Sequence, residues 1–207
     1  MDASFQPRPT EPTVVTSGPG RSETHPVGGF PLRKNHTGGK PITVFMKIEY
    51  FHASKFGNGA MVAEEFKRLM AAKGVTVNVH HIRDARPKEI ALADLYVFSS
   101  PGRFGKPIRS MRRFLKKIQL PQGTGYAILT TEAPPSPDKK TGKTPTEEEF
   151  AKYERVRPIM NELLQAKGMK KVAEGNVLVN PNALRGPLED GWQKRVEAFV
   201  AQVLNEG

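Results

Sequence analysis

The chain reads as an α/β protein, a doubly wound five-stranded parallel sheet with helices on both faces. Three observations lead there. Short apolar runs alternate with helical periods five times over. The central strand candidates are continuously apolar, as strands covered on both faces are. Glycine punctuation, as at Gly57-Asn58-Gly59 and Gly74, separates the runs.

The first strand lies in Ile42 to His52, with Val44, Phe45, Ile48, Tyr50 and Phe51. After a turn at Gly57-Asn58-Gly59, Val62, Ala63, Phe66, Leu69 and Met70 recur at helical spacing, and Gly74 ends that helix. Val75, Val77 and Val79 alternate as a second strand, and a short helix is expected over Pro87 to Ala93. Leu95 to Phe98 is a third strand, and Ile108 to Ile118 a helix with Met111 and Leu115 on its apolar side. Tyr126 to Leu129 is the fourth strand. A polar loop from Glu132 to Lys143 follows, long enough to serve as a rim of a ligand site. Thr144-Pro145-Thr146-Glu147 has the form of a capping box. It opens one helix that turns Phe150, Tyr153, Ile159, Met160, Leu163 and Leu164 inward and stops near Gly168. Val172 to Val179 is the fifth strand, and Trp192, Val196, Phe199, Val200 and Val203 mark the last helix.

Residues 1–41 differ in kind. They hold seven prolines and six glycines with no helical or strand period, which predicts a disordered extension ahead of a domain over 42–207. Met46 offers an alternative start to that domain. The 207 residues carry a net charge of +11, of which the extension supplies only +2 (five Lys/Arg against three Asp/Glu). Such a balance favours anionic partners and says nothing of fold. There is no cysteine, so disulfides, thiolate metal sites and cysteine nucleophiles are excluded. No run approaches the ~20 apolar residues of a membrane span, and no secretory leader pattern is present, so the cytoplasm is the default compartment.

Ligands of an open parallel sheet bind beyond the C-terminal strand ends where the strand order reverses, here the loops after strands one, three and four. In the first loop, Ala53 to Gly59, small and hydroxyl residues let backbone N–H groups converge at a helix N-terminus, with Ser54 and Lys55 as added donors. An ordinary strand-to-helix turn would carry the same Asn-Gly punctuation. The loop has neither the Gly-Lys-Ser/Thr ending of a triphosphate loop nor a Gly-x-Gly-x-x-Gly, so a single phosphate is the expected anion. The second loop runs Ser99-Ser100-Pro101-Gly102-Arg103-Phe104-Gly105-Lys106-Pro107. Its extended backbone suits a flat ring, which Phe104 can stack on and Arg103 can bond. His52, His80 and His81 show no evident carboxylate partner and read as structural or solvated. The Glu147-Glu148-Glu149 run suits a helix N-terminus.

Tyr50 to Gly59, followed by Ala63, resembles the flavodoxin signature, whose hydroxyl-rich turn holds the phosphate of flavin mononucleotide (FMN). Ser99 to Gly105, with Met111 and Phe114 downstream, resembles the flavin loop of the tryptophan-repressor-binding-protein-like NAD(P)H:quinone oxidoreductases. The resemblance implies a flavodoxin-like three-layer sandwich with strand order 2-1-3-4-5. It further implies that Ser54, Lys55, Phe56, Gly57, Asn58 and Gly59 form the phosphate side of an FMN site. Pro101, Gly102, Arg103, Phe104 and Gly105 would line the isoalloxazine, and Thr130, Thr131 and Glu132 would meet its other edge. Phe56 and Gly59 depart from the family, which usually has a hydroxyl and a threonine there. The implied function is NAD(P)H-dependent reduction of quinones or similar acceptors. The alternatives are a one-electron carrier, and an anion- or nucleic-acid-binding module without flavin. Expected partners are a small-molecule acceptor or a redox protein, an acidic one suiting the charge; no nucleic-acid motif appears, and a homo-oligomer is left open. On the helix after the second loop, Arg109, Arg112, Arg113 and Lys116 share one face opposite Ile108, Met111, Leu115 and Ile118.

Overall fold

The computed structural model describes residues 46–138, 140–180 and 186–204; the predicted disordered extension over 1–41 lies outside the described residues. The elements are β1 (Lys47–His52), α1 (Asn58–Ala71), β2 (Thr76–His81), β3 (Leu95–Ser99), β4 (Gly102–Arg103), β5 (Lys106–Pro107), α2 (Arg109–Lys117), β6 (Gly125–Glu132), α3 (Glu147–Tyr153), α4 (Val156–Gln165), β7 (Lys170–Leu178) and α5 (Trp192–Leu204). Five strands form one sheet in the order β2-β1-β3-β6-β7, every neighbouring pair parallel. With the short β4–β5 hairpin set aside, this is the 2-1-3-4-5 order, reversing beside β1.

Strand periodicity explains the layers. In β1, Ile48 and Tyr50 join a core with α1 and α5, while Phe51 joins a second core with α2 and α4. In β3 and β6, Leu95, Val97, Ala127 and Leu129 face the first core, and Tyr96, Phe98, Tyr126 and Ile128 the second. Helices thus cover both faces, and Phe66 of α1 meets Phe199 of α5 at 5.7 Å between ring centroids. The edge strands are more polar: β2 carries Asn78, His80 and His81, and β7 carries Lys170, Lys171, Glu174 and Asn176, which discourages further strand pairing.

Four local expectations are corrected. Residues 87–93 form turns, not a helix; the Tyr96 hydroxyl donates to the Ala91 carbonyl and accepts from the Ala93 N–H, taking backbone groups a helix would have paired. The capping box sits two residues later, with Thr146 at the N-cap and Glu149 returning the bond. The long helix is two, α3 and α4, broken at Glu154-Arg155. A continuous helix would press the Pro158 ring against the carbonyl of Glu154, whereas a fresh start at Val156 puts Pro158 in a first turn, where no N–H is needed. Tyr153, expected inward, is exposed at the end of α3.

The histidines remain structural, but His80 has the carboxylate partner that the sequence did not show. Glu49, 2% exposed in β1, takes His80 Nε2 at 2.5 Å, Asn78 Nδ2 at 2.9 Å and Lys47 Nζ at 3.0 Å. Burial pushes its pKa up, but the bonds from Asn78, Lys47 and His80 outweigh it and hold the carboxyl below its ordinary value.

Candidate functional site

A cavity of about 550 Å³ opens at the C-terminal ends of β1, β3 and β6, within the size range of small-molecule sites. The loop after β1 forms one side. Ala53 N–H donates to the Ser99 carbonyl at 3.0 Å, tying the loop to β3. The Ser54 Oγ then accepts from the N–H groups of Gly57 at 3.0 Å and Gly59 at 3.1 Å. Two backbone donors therefore converge on one oxygen at the start of α1, and among the described residues the Ser54 hydroxyl proton has no acceptor. This permits that proton to point at an anion while the helix N-terminus supplies partial positive charge. Gly57 makes the turn at φ +97°. A Cβ on Gly59 would stand 3.2 Å from Ser54 Cβ, so the departure from threonine leaves room for the serine to fold onto the helix end.

Ser54, Lys55, Phe56, Asn58 and Gly59 line the cavity, and the Phe56 ring is 56% exposed with Lys55 Nζ 5.3 Å from its centroid. The Asn58 side-chain amide holds the Gly186 carbonyl, which brings the stretch after β7 to the same rim. Gly57 contributes its N–H and its turn, not a wall.

The loop after β3 is an antiparallel hairpin, β4 on β5, whose tip residues Phe104 (φ +51°) and Gly105 (φ +66°) form the primed turn that suits two-residue hairpins. The Ser100 Oγ staples it, donating to the Pro101 carbonyl at 3.1 Å and accepting the Ile108 N–H at 3.3 Å. Pro101 bridges to Thr131 across β6. Pro101, Gly102, Arg103 and Thr131 face the cavity.

Four expected site residues are placed elsewhere. Phe104 is 77% exposed at the hairpin tip with the Arg103 guanidinium 5.4 Å over its ring, and is not part of the cavity wall. Gly105 packs on the α3–α4 break: its carbonyl accepts the Arg155 N–H at 2.8 Å, and a Cβ there would lie 2.1 Å from the Tyr153 carbonyl oxygen. Thr130 and Glu132 point to the opposite face of β6 from Thr131. The Glu132 carboxylate accepts from the Thr130 hydroxyl at 2.5 Å, Asn176 Nδ2 at 3.0 Å and Arg157 Nε at 3.1 Å, a network satisfied within the protein. No described residue of the 133–143 loop lines the cavity; Asp138 folds it locally by accepting the N–H groups of Lys140 and Thr141.

Sequence reasoning missed His81, Arg83 and Ser110 in the wall. The available signal was strand order, because β2 lies beside β1 and its loop must lie beside the loop after β1. His81 Nδ1 accepts the Arg83 N–H at 3.0 Å, so Nε2 carries the proton and donates to the Ser54 carbonyl at 3.1 Å. Behind it His52, meeting His81 edge-on at 5.0 Å, has its pKa pushed down to about 4 by burial, then by His81, with Asp84 opposing. Glu154, packed close to Gly102, is raised by burial and by Glu132. Among the described residues no cluster of His, Asp or Glu could hold a metal, and no helix is long and apolar enough to cross a membrane.

No family model and no curated protein sequence matches the chain. Solved structures do. Oxidised flavodoxin 2 from Bacillus cereus is similar with a TM-score of 0.56 at 18% identity, over 78% of this chain and 99% of that one. A short-chain flavodoxin associated with a non-canonical PDU bacterial microcompartment gives 0.56 at 15% identity, over 78% and 99%. The rubredoxin oxygen:oxidoreductase of Desulfovibrio gigas gives 0.56 at 14% identity over 77% of this chain, which spans only 35% of that longer one. The reversal of strand order beside β1, the loop cavity above it and these likenesses together establish that the chain adopts the flavodoxin-like fold.

Proposed function

We propose that the chain binds FMN in this cavity and reduces quinones or similar acceptors at the expense of NAD(P)H. The observation that carries the reading is the convergence of the Gly57 and Gly59 N–H groups on the Ser54 oxygen at the start of α1, which leaves the Ser54 hydroxyl proton for an anion beneath walls supplied by the loops after β1, β3 and β6. The residues fit the group. The Ser54 hydroxyl proton and the N-terminus of α1 favour a single phosphate, with Lys55 and Arg83 adding positive charge at the same cavity. Pro101, Gly102 and Thr131 offer an extended, side-chain-poor wall for a flat ring, and Arg103 a donor beside it. Similar folds include a flavodoxin from Fusobacterium nucleatum solved bound to flavin mononucleotide, at 12% identity and a TM-score of 0.53.

When bound, the flavin supplies the hydride and electron chemistry; the protein positions it and sets its electrostatic surroundings. A one-electron carrier is the second reading, and the exposed Phe104 at the hairpin tip favours it as an apolar contact for a partner. Reconstitution with FMN followed by NADPH oxidation with p-benzoquinone separates them. The enzyme reading expects sustained turnover with the purified protein alone, and turnover that appears only on adding a separate reductase overturns it in favour of the carrier.

A further inference from the structure

Between Asp94 and Glu132 the sequence holds seven Lys and Arg and no acidic residue. Elsewhere Arg68, Arg86, Arg155 and Arg157 each lie against a carboxylate, of Glu65 at 2.7 Å, Glu89 at 3.0 Å, Glu162 at 2.8 Å and Glu132 at 3.1 Å. Among the described residues none of those seven cations does. Four of them, Arg109, Arg112, Arg113 and Lys116, line a shallow groove of about 230 Å³ along α2. Among the described residues, Arg112 Nε is buried there with no hydrogen-bond partner. A buried donor without an acceptor is costly, so this surface is incomplete as it stands.

From these observations we infer that α2 and the β4–β5 hairpin form a docking face for an acidic protein. Arg109 to Lys116 spans about 10 Å at ~1.5 Å per residue, so the face presents guanidinium forks over two turns, the geometry that takes carboxylates in pairs. The exposed Phe104 and its neighbour Arg103 extend it, and aromatic and arginine side chains are the residue types that anchor protein interfaces. A single-stranded nucleic acid would want aromatic rings interleaved with the cations, but Phe114, the aromatic of α2, is buried in the core. The face also starts at the cavity, since Arg103 and Ser110 belong to both neighbourhoods. A docked partner would therefore sit beside the proposed flavin; that placement rests on the FMN reading, whereas docking itself does not.

The test uses the full chain without flavin, and so fails or succeeds independently of FMN binding. Association with an acidic plant-type ferredoxin, and with single-stranded oligo-dT of equal net charge, is measured by fluorescence anisotropy at low ionic strength. Two charge-matched variants are compared with the parent. Arg109→Glu/Arg113→Glu reverses exposed positions of α2, and Lys88→Glu/Lys170→Glu reverses exposed positions elsewhere. The docking face predicts ferredoxin affinity falling about tenfold or more in the α2 variant and little in the other. Arg112→Gln, which removes the charge without reversing it, should fall between. Equal losses in both double variants would show general attraction only and overturn the inference. So would no ferredoxin binding by the parent, or oligo-dT binding that is tighter and more sensitive to the α2 reversal.

Discussion

Gly57 turns the chain at φ +97° into α1, and among the described residues a Cβ there would meet no atom within 4 Å. That packing therefore does not demand glycine at this position; the backbone conformation does, and the proposed FMN site would bring a phosphate close to it. Gly57→Val is expected to weaken FMN binding at least tenfold while Tm falls by only a few degrees, the positive φ costing on the order of 1–2 kcal/mol. Unchanged affinity in this variant would place the phosphate elsewhere. His52 carries a pH dependence. Its folded pKa, about 4, lies below the ordinary 6.5, so the unfolded chain binds the proton more readily between those values. Its contribution is fully present above pH 6.5 and declines as pH falls toward 4. Glu49 is held below its ordinary value and adds its own loss only below about pH 4.5. In the window from pH 6.5 to 4.5, His52→Asn should flatten the fall of Tm with acidity. A slope as steep as the parent's would assign the dependence to another group. The pairing of Glu49 with His80 was invisible in the sequence, because it joins residues 31 apart across parallel strands and depends on register.

Among elements, the β4–β5 hairpin shows where reading by motif stops. That a cavity-lining loop follows β3 was legible from strand order and from the glycine and proline content of residues 99–107. Which of its residues face the cavity was not, because Phe104 and Gly105 turn outward in a primed hairpin fixed by the α3–α4 junction some 50 residues on. That junction, in turn, depends on Pro158 breaking what the apolar spacing alone presents as one helix. Gly105→Ala puts a Cβ into the Tyr153 carbonyl oxygen and strains the backbone at φ +66°, together costing on the order of 2–3 kcal/mol. Thermal unfolding should show Tm lowered by roughly 5–10 °C. Loss of FMN with an unchanged Tm would return Gly105 to the ligand site. Thr130 and Glu132 behave alike: Thr130 donates to Glu132, whose other partners, Arg157 and Asn176, come from α4 and β7, so burial in a network could not be told from a place beside a ligand.

At the scale of the molecule, the fold was the most legible part. Strands buried on both faces are written as contiguous apolar runs, and the crossover rules leave few ways to order them. The same order carries the loops after β1, β3 and β6 to one end of the sheet and makes the cavity. Charge is distributed unevenly over this scaffold, with a basic face that has no carboxylate partner among the described residues beginning at the cavity rim. The proposed binding of FMN in the cavity is tested by titrating the flavin-free protein into FMN and following flavin fluorescence, with FAD and riboflavin in parallel. A single phosphate cradle beneath an open ring site predicts saturable quenching at one FMN per chain, weaker binding of riboflavin, which lacks the phosphate, and no preference for FAD. Absence of saturable quenching by FMN, or riboflavin binding as tightly as FMN, would contradict the account.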